Sequence, residues 1–185
     1  MKNIGFALMA AALASAPALA ATKYVPNPSA TAPLFTTQGV KVGSAQIIEY
    51  GKHLHLVMWV QKQVSGNHGL HIHSIGLCTP PDFAAAGPHW NPGKKMHGID
   101  NPMGAHAGDM PNLLVDPKGV ARLHLDLGEG SLQGGKTPLL DADGASIILH
   151  EGPDDLKTDP SGGSGKRLVC GVFKMDTRLN VASAR

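Results

Sequence analysis

From Leu77 to Pro117 the chain runs for about 40 residues without a convincing strand or helix. Loops of that length are uncommon inside a compact domain and are usually functional. This one carries Gly87-Pro88-His89-Trp90-Asn91-Pro92, then His97-Gly98, then His106-Ala107-Gly108-Asp109. Any fold of this chain must therefore present three imidazoles and one carboxylate from backbone that no sheet holds. Three neutral nitrogens and one hard oxygen form a four-ligand set of the kind that holds structural zinc tetrahedrally. A bound metal would organise the loop.

The flanking sequence supplies the scaffold. Ala45 to Tyr50, Leu54 to Val60, Gly69 to Ile75, Gly119 to Leu127 and Ala145 to His150 are short apolar or β-branched runs separated by Gly, Pro, Asn and Asp. That spacing predicts an all-β sandwich or barrel, and 185 residues suit one such domain. In the second run Leu54, Leu56, Met58 and Val60 alternate with His53, His55, Val57 and Trp59. The period of two puts His53 and His55 on the face opposite the leucines. They read as surface residues, with an auxiliary metal-capture patch as the alternative. His124 reads as an ordinary strand residue.

Charge narrows the partners. Sixteen Lys+Arg against fourteen Asp+Glu leave no basic surplus for neutralising phosphates, which argues against nucleic acid. The compositional outlier is histidine, with ten residues. Lys2, the apolar run Ile4 to Leu13 and Ala18-Leu19-Ala20 read as a signal peptide over residues 1–20, cleaved before Ala21. The product is expected to be exported and soluble, with no membrane association after cleavage. Residues 21–39, rich in Pro, Thr and Ala, read as a low-order leader, and residues 174–185 as a tail. The two cysteines, Cys78 and Cys170, are expected to form a disulfide in an oxidising compartment; free thiols or thiolate ligands are the alternative.

The sharpest local pattern is His68-Gly69-Leu70-His71-Ile72-His73. In a strand His71 and His73 point to one face, so two imidazoles can take neighbouring positions around one ion. Alone, this pattern also fits two surface histidines on an edge strand. In order, however, HGLHIH, GPHWNP, HG, HAGD, ILHE and RLVCGV resemble copper/zinc superoxide dismutase in its exported, periplasmic bacterial branch. The resemblance covers roughly residues 40–173. It implies an eight-stranded Greek-key β-barrel, a flattened immunoglobulin-like sandwich with two long functional loops.

The resemblance also implies a site. His71, His73, His89 and His150 match the copper ligands, and His89, His97, His106 and Asp109 match the zinc ligands, with one ion of each per subunit. Asp154 matches the carboxylate that links His71 to His97. Arg167 matches the arginine that holds the superoxide anion beside copper. The implied activity is dismutation of superoxide to dioxygen and hydrogen peroxide, with His89 as the bridging, proton-carrying residue, protecting the exported compartment. Both a monomer and a homodimer remain open. Steering charges of eukaryotic members lack counterparts; Lys157 and Lys166 are candidates, Asp159 would oppose them, and Lys94 and Lys95 read as solvated. Two rivals use the same residues: metal storage or delivery, which would not need Arg167, and a zinc hydrolase, which lacks a carboxylate base near the HxH strand.

Overall fold

The computed structural model describes residues 27–177. The expected signal peptide lies outside them, as do the start of the leader and the end of the tail. The strands are β1 (Ser29–Thr36), β2 (Lys41–Tyr50), β3 (His53–Val60), β4 (Gly66–His68), β5 (Leu70–His73), β6 (Leu113–Val115), β7 (Ala121–Glu129), β8 (Ser146–His150), β9 (Arg167–Val172) and β10 (Lys174–Met175). Within the fold the helical element is a 3-10 turn at Ala84–Ala86, and no helix among the described residues is long and apolar enough to cross a membrane.

The strands form a curled antiparallel sheet in the order β5-β8-β9-β1-β2-β3-β7, with β10 also paired to β1. Seating β8 and β9 between β5 and β1 requires the long return connections of Greek-key sheets. β4 directly precedes β5, β6 precedes β7, and β4 pairs with β6. This ribbon joins the two ends of the sheet.

Alternation decides which face is buried. In β3, Leu54, Leu56, Met58 and Val60 point inward while His53, Val57 and Trp59 are exposed, as the period of two requires. The interior is filled by these residues together with Leu34, Ile47, Leu70, Ile72, Ile147, Leu149 and Phe173. A second, smaller cluster lies outside the curl, where Phe83 and Ala86 cover Ile148 and Cys170. Cys78 and Cys170 are joined as a disulfide across 92 residues. Closing such a loop stabilises the fold by about 4 to 5 kcal/mol in the chain-entropy picture.

Three expectations are corrected. The expected low-order leader overlaps a strand, because β1 pairs with β2 from Ser29 to Phe35. Its inward residues Ala30, Ala32 and Leu34 do alternate, but Ala and Pro are weak strand signals. Pro33 falls between the segment of β1 that pairs with β10 and the segment that pairs with β9, so its missing N–H is tolerated. The tail is likewise structured through β10, and Asp176 accepts a hydrogen bond from Ser29 at 2.6 Å. The stretch from Leu77 to Pro117 is not wholly without strands, since it contains β6.

Replacing Leu56, fully buried, by Ala is expected to lower stability by about 2 to 5 kcal/mol. Urea unfolding of the metal-free protein measures this, and an unchanged midpoint would contradict the inward register of β3.

Candidate metal centre

β5 carries the site because its two faces differ. Leu70 and Ile72 enter the core, so His71 and His73 face out, yet both are buried. What covers them is the long loop, which is hydrogen-bonded along the free edge of β5. Trp90 N–H donates to Ile72 O at 2.8 Å, Ile72 N–H to Gly108 O at 2.9 Å and Ser74 N–H to Pro88 O at 2.9 Å. This sets His89 opposite His73 and Asp109 opposite His71. Gly108 is required there, since a Cβ would collide with the Ile72 carbonyl. β8 pairs with the other edge of β5 and ends in His150.

The hydrogen bonds then set which nitrogen of each ring is left over. His73 Nδ1–H donates to Gly87 O at 2.8 Å and His150 Nδ1–H to Gly165 O at 3.1 Å. A carbonyl only accepts, so the proton sits on the outer nitrogen and the inner one keeps its lone pair. Asp154 imposes the same order on two rings at once. Its carboxylate accepts from His71 Nε2–H at 2.6 Å and from His97 Nε2–H at 3.1 Å. The inner nitrogens, His71 Nδ1, His73 Nε2, His89 Nε2 and His150 Nε2, are buried without a hydrogen-bond partner. These four residues offer donor atoms all within 4.8 Å of one another. Converging, unpaired lone pairs are unfavourable by themselves and fit a cation.

A second set lies alongside. Asp109 Oδ1 is 2.8 Å from His89 Nδ1, 3.0 Å from His97 Nδ1 and 3.2 Å from His106 Nδ1, and the His89 and His106 nitrogens are 3.4 Å apart. Bonds of about 2.0 to 2.1 Å to a tetrahedral ion imply ligand edges of roughly 3.3 Å, so these spacings fit zinc. His71 also comes within 4.8 Å of His89, His97 and Asp109, but its unpaired Nδ1 belongs with the first set and His106 completes the second. Of these histidines only His89 turns one nitrogen to each set.

Every expected ligand is thus brought into one of two adjoining groups, and Asp154 links them. Other contributors carry no motif. Asn112 exchanges hydrogen bonds with the backbone N–H and C=O of Asp154 at 2.7 and 2.8 Å. Gly162, at φ 63, packs where a Cβ would strike the Asp154 carboxylate. Asp159 accepts the His97 backbone N–H at 2.6 Å and lies 3.8 Å from His106 Nε2. His68 spans the carbonyls of Val64 and His150, both at 2.8 Å.

An open cleft leads to the first set; its walls include His73, His89, His150, Arg167, Lys95 and Lys136, with Asp141 and Asp159 opposing them. Lys157 and Lys166, the sequence-based steering candidates, are not among its lining residues, whereas Lys95 is. Arg167 donates from Nη1 to Phe83 O at 2.8 Å and from Nη2 to Gly87 O at 2.9 Å. Partial burial lowers its pKa while Asp82 opposes the shift, and a guanidinium remains cationic in any case.

Burial is the main cause that pushes the pKa of His73 down to about 2, of His150 to about 3 and of His89 to about 4. For Asp154 burial acts upward, but hydrogen bonds from His71, His97 and Leu156 outweigh it and leave the group at about 2. Asp109 is also held well below the usual carboxylate range; burial again acts upward and is outweighed, chiefly by His89 and the Gly98 N–H. Neutral imidazoles beside ionised carboxylates are the states a cation needs. Unfolding returns the histidines to about 6.5, so below that pH the unfolded chain binds protons that the fold refuses. Stability must then fall as pH drops. The urea midpoint of the metal-free protein is expected to decline steadily from about pH 7 to about pH 4; a flat profile would contradict neutral, buried rings.

The match to known proteins agrees with this geometry. The family model for copper/zinc superoxide dismutase matches residues 41–173. A curated relative from Aquifex aeolicus, a Cu-Zn superoxide dismutase, is 42% identical over 77% of this chain and 86% of its own. The crystal structure of a SOD-like protein from Bacillus subtilis superposes with a TM-score of 0.73 at 39% identity, covering 77% of this chain and 96% of that one. The Cu/Zn superoxide dismutase from Brucella abortus does so with a TM-score of 0.63 at 28% identity, covering 79% and 99%. A family match over most of the chain, joined to a curled antiparallel sheet and two adjoining ligand groups, makes this chain a member of the copper/zinc superoxide dismutase family.

Proposed function

We propose that this chain dismutates superoxide in an exported compartment, with copper held by His71, His73, His89 and His150 and zinc by His89, His97, His106 and Asp109, one ion of each per subunit. The observation that carries the reading is the set of four buried, unpartnered ring nitrogens that converge at the end of an open cleft. The disulfide and the signal-like residues 1–20 support export to the periplasm as a soluble protein. The catalytic domain would include β1 and β10 in addition to residues 40–173.

Bound copper supplies the one-electron couple by which two superoxide ions and two protons become dioxygen and hydrogen peroxide, while zinc has no redox chemistry. The protein's part is to bind the anion, orient the ligands and supply a proton. Arg167 presents a permanent cation whose position is set by the carbonyls of Phe83 and Gly87. It holds the anion on the wall next to His89. His89 Nε2 has no hydrogen-bond partner in the protein, so whenever it holds no ion it is free to take up a proton and hand it to the second superoxide as that ion is reduced. Asp154 holds the His71 and His97 rings at fixed angles and so couples the geometry of both groups.

The direct test is superoxide decay per bound copper in protein whose copper and zinc contents are measured on the same sample. Fast decay that disappears with copper removal is expected; no catalysis at full occupancy would leave storage or delivery of metal as the function. Arg167→Ala is expected to keep both metals and lose about tenfold or more of the rate per copper. Unchanged turnover would remove the guanidinium from anion binding. Asp154→Asn replaces one acceptor oxygen by a donor that faces ring N–H groups, and is expected to weaken copper retention about 10- to 100-fold. Normal occupancy after dialysis against a chelator would refute that role.

A further inference from the structure

Outside the lining of the cleft, on the outer face of the sheet, His53 and His55 lie two residues apart on β3. Their ring centroids are 6.4 Å apart, the same separation as His71 and His73 on β5. Across from them β7 is bulged. Two steps along β3, from His53 to His55, face three along β7, from Glu129 to Asp126. An extra residue re-aims the side chains beside it, and here one carboxylate meets His53 and sits across the ladder from His55. Asp126 is the register partner of His55, while its two oxygens lie 3.3 and 3.2 Å from His53 Nδ1.

The carboxylate is held in place. Gly128 N–H, at the bulge, donates to Asp126 Oδ1 at 2.8 Å. That hydrogen bond first, then His53 and the nearby His55, lower the Asp126 pKa, so the carboxylate that meets His53 Nδ1 and lies across from His55 is ionised. Tyr50 meets His55 edge-on with centroids 5.2 Å apart and limits where that ring turns. A spacing near 3.2 Å between nitrogen and oxygen is a ligand edge of the kind found around zinc. The half-exposed side chains of His53 and Asp126 leave room for water to complete a coordination shell.

We propose that His53, His55 and Asp126 form a third, surface site for a borderline divalent transition ion such as Zn²⁺ or Cu²⁺. Two imidazoles and one carboxylate suit these ions and not Ca²⁺ or Mg²⁺, which take oxygen ligands. The site is independent of the buried centre, and its ion exchanges with solvent because one side is open.

Titration of protein whose buried groups are already saturated, using Zn²⁺ and calorimetry, tests this. One further equivalent is expected, with no comparable uptake of Mg²⁺. His53→Ala with His55→Ala is expected to abolish that equivalent, and Asp126→Asn to weaken it by an order of magnitude. Superoxide turnover and unfolding midpoint should be unchanged. His124→Ala, on the same face but outside the trio, should bind as the parent does. Absence of a further equivalent, or its persistence in the double variant, overturns the proposal. As a check that needs no variant, Co²⁺ should broaden the His53 and His55 ring resonances of the saturated protein selectively, and uniform broadening or none overturns it as well.

Discussion

An imidazole buried in apolar surroundings is tolerated only when its N–H finds an acceptor, and this molecule buries six of them in one place. The architecture follows from how that demand is met. Gly87 and Gly165 give up carbonyls to His73 and His150, and Asp154 serves His71 and His97 together. With the outer nitrogens satisfied, every remaining lone pair is forced inward. The inner nitrogens cannot satisfy one another, and together they form a group that could hold a cation.

A second dependence runs through the disulfide. Cys170 sits in β9 three residues beyond Arg167, and Cys78 opens the loop that contains Phe83 and Gly87. The guanidinium takes its position from those two carbonyls. Covalent attachment of the loop to β9 therefore fixes the acceptors relative to the strand that bears the donor. Phe83 and Ala86, packed over Ile148 and Cys170, add an apolar seal to the same attachment. Stability and the placement of Arg167 thus rest on one short segment.

Much of this was readable from the residues, for physical reasons. Imidazole is rare and chemically specific, and a spacing of two on a strand has one geometric meaning, so His71 and His73 could be paired without coordinates. The leucines of β3 announced their face in the same way. β1 was harder, since Ala30, Ala32 and Pro33 have little strand preference and owe their conformation to pairing with β2. Asn112 and Asp159 were not legible at all. Each acts through backbone groups 42 and 62 residues away, and nothing local marks such a residue. Asp159 reads as a charge near the substrate path, yet its carboxylate also accepts the His97 backbone N–H. Lys95 reads as a solvated loop residue, and only the folded loop brings it to the cleft.

The hydrogen bonds that dock the long loop onto β5 have a meaning beyond the site. An exposed strand edge is a template for association with other sheets, and β5 is a terminal strand of this one. Trp90, Gly108 and Pro88 occupy that edge, so the chain shields its own open margin with the segment that holds the ligands. Whatever loosens that segment uncovers β5. The ion proposed for these ligands would also hold the cover over β5, so the same contacts that shape the site keep the margin of the sheet closed.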